Sequence, residues 1–335
     1  MRLEGRKALV VGVGKSGVAA ARLLATRGAS VAVADDKSAE ALADSLRLLE
    51  GVAHERFLGG VREDAFRGRD LVVVSPGVPL STPVIAEART RGVETIGEVE
   101  LAARFVDEPV LGVTGTNGKS TTTALAAHLL QAAGKKVFAG GNLGDPLSNR
   151  VLQGGKLDAT VCELSSYQLE AIASLRCAAA TVLNVTPDHL DRYPSLEAYA
   201  AAKERIFENQ KPGDAAVLNL ADARVANMRT PAGVQRRGFD PRGRNAEAAG
   251  NVRAKGVLTV DGAEYKLRAK TLRGAHNAEN ALAALLLARH LDAPPRALQQ
   301  GLDSYPGLPH RLEPVRTVDG VEWVNDSKAT NVDSV

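Results

Sequence analysis

The stretch from Pro109 to Ser120, PVLGVTGTNGKS, carries the most specific signal in the chain of 335 residues. A β-branched run over Pro109–Thr114 leads into a glycine-rich turn, and a helical pattern begins near Lys119. Glycines let backbone N–H groups turn toward an anion, and the helix adds its positive end. Lys119 can reach the β- and γ-phosphates of a nucleotide, and the Ser120 hydroxyl can bind Mg²⁺. The stretch therefore predicts a phosphate-binding loop for a mononucleotide.

The spacing of this loop differs from the usual phosphate-loop pattern. Val113 stands five positions before Gly118, where the pattern has glycine, and Gly112 and Gly115 flank that position. The Gly-Lys-Ser core, the strand and the helix survive the departure, so nucleotide binding is favoured over a chance glycine turn.

A second glycine pattern, Gly12-Val-Gly14-Lys-Ser-Gly17, follows the first strand, and Asp35 ends the next strand. This is a dinucleotide fingerprint, in which glycines admit a pyrophosphate and the acidic residue meets ribose hydroxyls. NAD and a UDP-sugar both present a pyrophosphate and a ribose, so the pattern alone does not separate them. A glycine turn that only packs helix on strand is the third interpretation.

Composition points to a globular protein whose partners are small molecules. The chain is 44% hydrophobic and 24% charged, with a formal net charge of +3, which makes no case for binding nucleic acid or a membrane surface. Cys162 and Cys177 stand in apolar stretches and predict buried thiols. The first residues lack a signal peptide, and we expect a cytoplasmic protein with no membrane-spanning segment.

Strand-like and alanine-rich helical segments alternate, which predicts an α/β fold. The first part should hold three strands near residues 7–13, 30–34 and 70–75, with helices near 16–27, 38–49 and 82–91. A connecting helix near 97–105 leads to a second series of strands near 109–114, 158–164, 179–185 and 214–220. Residues 234–267 predict a small antiparallel β addition, and helices follow at 276–290 and 295–304. We predict domains at 1–93, 94–312 and 313–335.

Oxygen and nitrogen ligands follow strands of the second series. Glu163 ends one strand, and Asp188, His189 and Asp191 follow another. Ligands bind beyond the carboxyl ends of parallel strands, so these side chains should converge near the phosphate loop. A carboxylate, a hydroxyl and phosphate oxygens suffice for Mg²⁺, whereas His189 could equally be a loop histidine. The helical pattern around Lys203 indicates a surface lysine.

Six motifs together carry a family resemblance. They are Thr114-Gly-Thr-Asn-Gly-Lys-Ser-Thr121, Glu163-Leu-Ser-Ser-Tyr-Gln-Leu169, Asn184-Val-Thr-Pro-Asp-His-Leu-Asp-Arg-Tyr193, His276-Asn-Ala-Glu-Asn280, Leu308-Pro-His-Arg311 and Asn325-Asp-Ser-Lys-Ala-Thr-Asn331. From end to end, the chain resembles the Mur ligase family of cell-wall peptide synthetases. Its N-terminal part is most similar to the branch that joins D-glutamate to UDP-N-acetylmuramoyl-L-alanine.

The resemblance implies a Rossmann-like UDP-sugar domain, a central phosphate-loop ATP domain and the start of a C-terminal domain. Implied ATP contacts are Gly115, Thr116, Asn117, Gly118, Lys119, Ser120, Thr121, Asn277, Asn280, Arg311 and Asp326. Implied UDP-sugar contacts are Gly14, Lys15, Ser16, Asp35, Asp36, Lys37, Ser75, Pro76, Gly77, Asn142, Gln168 and His189. Implied ligands of two Mg²⁺ ions are Ser120, Glu163, His189 and Lys203.

The same resemblance implies catalytic roles for Lys119, His189 and Lys203, the last as a carbamate formed with CO₂. A carbamate turns a repelled ammonium into an oxygen ligand for Mg²⁺. The implied reaction activates the alanyl carboxylate as an acyl phosphate, which the amine of D-glutamate then attacks. We expect a monomer.

The chain stops at Val335, just past the motif that leads into the family's third domain. We therefore expect these residues to bind the UDP-sugar but to ligate weakly or not at all. The alternatives are a sister ligase, including folylpolyglutamate synthase, an NAD-binding module joined to a phosphate-loop domain, and a non-catalytic nucleotide-binding scaffold.

Overall fold

The computed structural model describes residues 1–142, 144–189 and 192–328. Asp191 and residues 329–331 of the last motif lie outside this range. The chain forms two compact units, each described by itself. Unit 1 comprises residues 1–107, 141–156 and 165–175, and unit 2 comprises residues 108–140, 157–164 and 176–335. The domain boundaries at 93 and 312 stay predictions.

The sheet of unit 1 has five parallel strands in the order β3-β2-β1-β4-β5. The strands are β1 (Lys7–Val11), β2 (Ser30–Asp35), β3 (Ala53–Leu58), β4 (Leu71–Val74) and β5 (Glu94–Gly97). The three predicted strands are present, whereas β3 and β5 were not predicted. β3 buries only its first residue, so its sequence lacks the apolar run that marks a central strand.

The helices of unit 1 come from three parts of the chain. They are α1 (Lys15–Thr26), α2 (Ala43–Arg47), α3 (Pro83–Thr90), α4 (Glu98–Ala103), α6 (Leu147–Gln153) and α7 (Ser166–Leu169). The predicted helix over 38–49 is wrong, because only α2 forms there. The Asp35 carboxylate accepts the N–H of Lys37 at 2.9 Å, and the Asp36 carboxylate accepts that of Val61 at 3.0 Å. The bond within Asp35–Lys37 is a local turn that competes with a helix, whereas the bond from Val61, 25 residues away, ties the segment to a distant part of unit 1.

The sheet of unit 2 has nine strands in the order β14-β13-β12-β11-β10-β9-β6-β8-β7. The strands are β6 (Val110–Thr114), β7 (Val137–Gly141), β8 (Ala159–Glu163), β9 (Ala179–Val182), β10 (Ala215–Asn219), β11 (Gln235–Asp240), β12 (Gly250–Ala254), β13 (Val257–Val260) and β14 (Ala263–Lys266). The antiparallel addition is confirmed for β12, β13 and β14, but it extends the main sheet, and β11 joins it in parallel.

Helices cover the sheet of unit 2. They are α5 (Lys119–Ala132), α8 (Leu196–Glu204), α9 (Ala223–Ala226), α10 (Ala275–His290) and α11 (Pro295–Ser304). β6 is buried along its whole length, as a central parallel strand requires. α5 packs against both α10 and α11, and α10 is buried nearly all round. The phosphate loop therefore joins a buried strand to a helix that is fixed by two neighbours.

A two-stranded antiparallel hairpin, β15 (Glu313–Val318) and β16 (Val321–Asn325), ends the described chain. Cys162 and Cys177 are both buried thiols, as predicted. Across the described ranges, no helix has both the length and the apolar character needed to cross a bilayer.

One buried carboxylate links two distant segments of unit 1. Glu98, at the start of α4, is 1% exposed, and its Oε1 accepts the backbone N–H of Ser148 in α6 at 2.6 Å. Among the described residues its Oε2 has no hydrogen-bond partner. Burial raises the pKa of Glu98 to about 7, against the lowering effect of Ser148.

We expect Glu98→Gln to remove a pH dependence of stability. Between the ordinary pKa of 4.5 and about 7, the folded protein keeps a proton that the unfolded chain has released. Stability therefore falls as pH rises through this window, by about 1.4 kcal/mol per pH unit. Denaturant unfolding should find the variant and the wild type equal near pH 4.5, and the variant more stable by about 3 kcal/mol at pH 7.5.

The matched control is Glu50→Gln, since Glu50 is exposed. A constant difference between Glu98→Gln and the wild type across the pH range would contradict the prediction.

Candidate functional site

The phosphate loop of unit 2 depends on glycine at two positions. Gly118, the residue before α5, has φ of +86°, and a Cβ there would lie 2.2 Å from Oδ1 of Asn280. Gly115 has φ of +150°, and a Cβ there would lie 3.0 Å from Cβ of Leu183. Both conformations are unfavourable for other residues, and both positions are closely packed.

Asn184 fixes the first half of the loop. Its Oδ1 accepts the backbone N–H groups of Thr116 at 3.1 Å and Asn117 at 2.8 Å. These two N–H groups are therefore engaged within the protein. The N–H groups of Lys119, Ser120 and Thr121 belong to the first turn of α5, where a helix offers them no intrahelical acceptors, and such a turn can bind an anion.

Two lysine ammonium groups converge on one carbonyl oxygen beneath the loop. Lys203 Nζ donates to the oxygen of Gly115 at 2.8 Å, and Lys119 Nζ donates to the same oxygen at 3.1 Å. Lys119 also donates to the oxygen of Thr116 at 2.8 Å, which leaves one of its three N–H donors. Positive charge is thus concentrated under the loop.

Lys203 is buried, being 1% exposed, so its interpretation as a surface lysine is wrong. Its Nζ lies 4.3 Å from the centre of the Tyr199 ring. Burial and the Lys119 ammonium hold the pKa of Lys203 well below its usual value. The sequence carried a signal for this, because Lys203 stands four residues after Tyr199 and so lies on the same helix face.

Two carboxylates act on both lysines. Glu163 and Asp188 oppose the lowering of the pKa of Lys119, which burial causes. The same carboxylates oppose the lowering of the pKa of Lys203. Glu163 is 2% exposed at the end of β8. The predicted convergence of Glu163 and Asp188 toward the phosphate loop agrees with these interactions.

A cavity of about 520 Å³ opens above the loop. This is within the range for small-molecule sites. Among the residues predicted for ATP or metal, it is lined by Thr116, Asn117, Gly118, Lys119, Ser120, Thr121, His189, Asn277, Asn280, Arg311 and Asp326. Gly115, Glu163 and Lys203 do not line it.

The predicted asparagines on α10 bind the loop and each other. Asn280 Oδ1 accepts the Thr122 hydroxyl at 3.2 Å, and its Nδ2 donates to Oδ1 of Asn277 at 3.2 Å. Asn277 Nδ2 donates to the oxygen of Arg273 at 2.8 Å. Asn280 therefore connects α10 to α5 at the wall of the cavity, and Asn277 holds the amide of Asn280.

His189 has φ of +54°, and its backbone N–H donates to Oδ1 of Asp188 at 2.9 Å. Its ring contacts that of Tyr199 edge-on, with centroids 6.1 Å apart. In the described part of the chain, no three His, Cys, Asp or Glu side chains form a group that could hold a metal. A metal here would need hydroxyl and phosphate oxygens as well, which Ser120 and a nucleotide supply.

The glycine pattern of unit 1 packs strand against helix. A Cβ at Gly17 would lie 1.8 Å from the oxygen of Gly12, and one at Gly12 would lie 2.8 Å from Cβ of Ser75. The Ser75 hydroxyl donates to the oxygen of Gly12 at 2.7 Å. Asp35 Oδ2 accepts the N–H of Val13 at 2.7 Å, so this carboxylate also shapes the loop.

The other residues predicted for the UDP-sugar lie around this loop or on later segments. Lys15 Nζ donates to the oxygen of Gly144 at 2.5 Å. Gln168 Oε1 accepts the N–H of Ser165 at 2.9 Å in a capping box, which leaves its amide nitrogen for a ligand. The remaining ones are Gly14, Ser16, Asp36, Lys37, Pro76, Gly77 and Asn142, all at least partly exposed. Asn142 and Gln168 belong to unit 1, and His189 to unit 2.

Comparison with known proteins agrees with this layout. Residues 113–288 match the Mur ligase middle domain. Residues 6–97 match the N-terminal domain described as Mur ligase, MurD-like. The chain belongs to the Mur ligase family.

Two relatives of this Mur ligase are named UDP-N-acetylmuramoylalanine–D-glutamate ligase. The one from Myxococcus xanthus (strain DK1622) is 50% identical over 100% of this chain and 75% of its own length. The one from Anaeromyxobacter dehalogenans (strain 2CP-C) is 52% identical over 99% of this chain and 74% of its own length. The chain thus spans about three quarters of each.

A solved structure shows the same fold. The UDP-N-acetylmuramate:L-alanyl-gamma-D-glutamyl-meso-diaminopimelate ligase from Neisseria meningitides superposes with a TM-score of 0.61 at 19% identity, covering 91% of this chain and 99% of that one. This confirms the α/β fold of a Mur ligase.

Sequence reasoning missed two polar residues of the cavity, Asn184 and Glu279. Both stand inside motifs that were quoted, but neither was assigned a role. Asn184 Nδ2 donates to Oε1 of Glu279 at 3.2 Å. Burial raises the pKa of Glu279, and the hydrogen bond from Asn184 opposes that rise.

We expect Gly118→Ala to destabilise the Mur ligase by about 2–4 kcal/mol. The left-handed backbone costs about 1–2 kcal/mol with a Cβ, and the overlap with Asn280 adds a packing cost of similar size. Gly134→Ala is the matched control, since Gly134 has φ of +82° with open space around it. Equal losses in thermal or denaturant unfolding would show that the contact with Asn280 does not matter.

Proposed function

We propose that the chain is an ATP-dependent ligase that joins D-glutamate to UDP-N-acetylmuramoyl-L-alanine in the synthesis of peptidoglycan precursors. The observation that carries the proposal is the 50% identity, along the entire chain, with a relative of that name. The match of residues 6–97 to a MurD-like N-terminal domain favours this reaction over that of a sister ligase or folylpolyglutamate synthase. The same match favours a UDP-sugar rather than NAD as the ligand of unit 1.

The cavity of unit 2 suits ATP. The first-turn N–H groups of α5 and the remaining donor of Lys119 offer hydrogen bonds to its phosphates, and Arg311 lines the same cavity. Asn277, Asn280 and Asp326 line its walls and offer polar contacts to the rest of the nucleotide. These residues are the proposed ATP contacts, together with Ser120 and Thr121.

The donor set also fits Mg²⁺. Glu163 supplies a buried carboxylate and Ser120 a hydroxyl, and this cation takes oxygen ligands and keeps several waters. When bound, Mg²⁺ would neutralise phosphate charge, and Ser120, Glu163, His189 and the carbamate of Lys203 are its proposed ligands.

The proposed reaction begins when an oxygen of the alanyl carboxylate attacks the γ-phosphorus of ATP. The bond to the β–γ bridging oxygen breaks, which gives ADP and an acyl phosphate. The amine of D-glutamate then attacks the acyl carbon, loses a proton and displaces phosphate through a tetrahedral intermediate. Two anions must meet in the first step, so positioning and charge neutralisation by Lys119 carry the catalysis.

Lys203 is the proposed site of carbamate formation. Burial lowers the pKa of Lys203 well below its usual value, which favours the neutral amine, the form that attacks CO₂. The N–C bond forms, one proton leaves, and the product is an anion that keeps one N–H. That N–H can keep the hydrogen bond that Lys203 Nζ donates to the oxygen of Gly115 at 2.8 Å. The negative charge of the carbamate replaces the repulsion between the two ammonium groups by attraction to Lys119.

For unit 1, we propose that the UDP-sugar binds at the Gly12–Gly17 loop. Lys15 and Lys37 offer charge to the diphosphate, and Ser75, Pro76 and Gly77 line one side. ATP and UDP-linked sugars are cytoplasmic nucleotides, and we propose that the protein acts there as a monomer.

Titration calorimetry with UDP-N-acetylmuramoyl-L-alanine tests this function. We expect one site per chain, no binding of NADH, and affinity about tenfold weaker in Lys37→Ala, because a charge-assisted phosphate contact is lost. Lys156→Ala, another exposed lysine of unit 1, should bind as the wild type does. Binding of NADH in place of the UDP-sugar would refute the proposal.

Carbamate formation is measurable by ¹³C NMR after equilibration with ¹³C-bicarbonate. We expect a carbamate resonance from the wild type and from Lys211→Ala, which removes an exposed lysine, but none from Lys203→Ala. A resonance that persists without Lys203, or that is absent from the wild type, would exclude the carbamate. Acetate should partly restore ligation by Lys203→Ala, since it returns a carboxylate to the vacated space.

A further inference from the structure

Asn184 makes four side-chain hydrogen bonds from just past the end of β9, which pairs in parallel with β6 and therefore ends beside the phosphate loop. Its Oδ1 accepts the N–H groups of Thr116 and Asn117 at 3.1 and 2.8 Å. Its Nδ2 donates to the oxygen of Asn117 at 3.3 Å and to Oε1 of Glu279 at 3.2 Å. One amide therefore connects the strand β9 side of the site, the loop and helix α10.

The orientation of this amide matters. Two N–H donors face one end of the Asn184 side chain, and two acceptors, a carbonyl and a carboxylate, face the other. Rotation of the amide by 180° would set donors against donors and acceptors against acceptors. An ionised carboxylate can only accept hydrogen bonds. Glu279 therefore selects the Asn184 orientation in which Nδ2 faces Glu279 and Oδ1 faces the N–H groups of the loop.

Helix α10 thus acts on both sides of Gly118, on the loop before it and on the start of α5 after it. Glu279 acts through Asn184 on the residues before Gly118, and Asn280 binds the Thr122 hydroxyl after it at 3.2 Å. With both halves fixed, the N–H groups of the first turn of α5 are preset for phosphate before a nucleotide arrives. Such preorganisation avoids the entropy loss of ordering a loop upon binding.

We propose that Glu279 and Asn184 are a pair of positioning residues for the phosphate loop, in which Glu279 orients the Asn184 amide and Asn184 sets the loop. The inference rests on the assignment of this cavity to ATP. Neither residue is proposed to touch the reacting atoms.

The test exchanges the amide of Asn184 and the carboxylate of Glu279, first singly and then together. Asn184→Asp keeps an acceptor for Thr116 and Asn117 but sets a second carboxylate against Glu279, and we expect affinity for MgATP to fall about tenfold or more. Glu279→Gln alone should lower the affinity for MgATP by about threefold or less, because the new amide can rotate to present its oxygen to Nδ2 of Asn184. In the double variant, the new amide at position 279 can donate to the new carboxylate at position 184, and affinity should be at least about threefold higher than that of Asn184→Asp, although the carbonyl of Asn117 still lacks its donor.

Titration calorimetry with MgATP gives these affinities, and UDP-N-acetylmuramoyl-L-alanine, titrated into the same samples, should bind unchanged. Glu247→Gln, an exposed glutamate, is the matched control. A double variant as weak as Asn184→Asp, or an Asn184→Asp that binds as the wild type does, would overturn the inference.

If Asn184→Asp does not fold, Glu279→Ala replaces it. Removing the carboxylate frees the amide to flip, so Glu279→Ala should bind MgATP more weakly than Glu279→Gln does; equal affinities would overturn the inference. Wild type that fails to bind MgATP at all would count against the proposed function itself, and that outcome is separate from any difference among the variants.

Discussion

The carbonyl oxygen of Gly115 accepts hydrogen bonds from two lysines at once, and the site is organised around this convergence of positive charge. Two ammonium groups on one oxygen repel each other, and burial makes both charged forms costly. Glu163 and Asp188 offset part of that cost. In the proposed carbamate form, Lys203 carries a negative charge instead, which removes this repulsion and leaves the Lys119 ammonium as the positive group for phosphates.

Local sequence predicted the parts whose causes are local. The loop, the buried strand β6 and helices α10 and α11 follow from glycine placement, β-branched runs and apolar content over a few residues. Lys203 was misjudged because a lysine is usually exposed, although its four-residue spacing from Tyr199 placed it on the buried face. Asn184 and Glu279 stand 95 positions apart, and no short pattern links an amide to a carboxylate across that distance.

Contacts between distant segments also explain why the sequence did not predict all of unit 1. Glu100 on α4 is buried and accepts backbone N–H groups of Ala173, Ser174 and Leu175, each at 2.9–3.0 Å. Together with Glu98, it binds segments that return to unit 1 after the chain has entered unit 2. A buried glutamate resembles a surface one in the sequence, because its partners, not its neighbours, decide its burial.

The two glycine loops differ in which of their polar groups are already bonded within the protein, and this limits what each can recognise. In unit 2, Asn184 engages the first N–H groups of the loop, so the anion site is narrowed to the N-terminus of α5. In unit 1, the glycines serve close packing, and Asp35 uses its two oxygens on the N–H groups of Val13 and Lys37. An acidic residue held in this way has less capacity to choose between riboses. Ligand choice in unit 1 therefore falls to side chains beyond the fingerprint, so the glycines alone fit NAD and a UDP-sugar equally well.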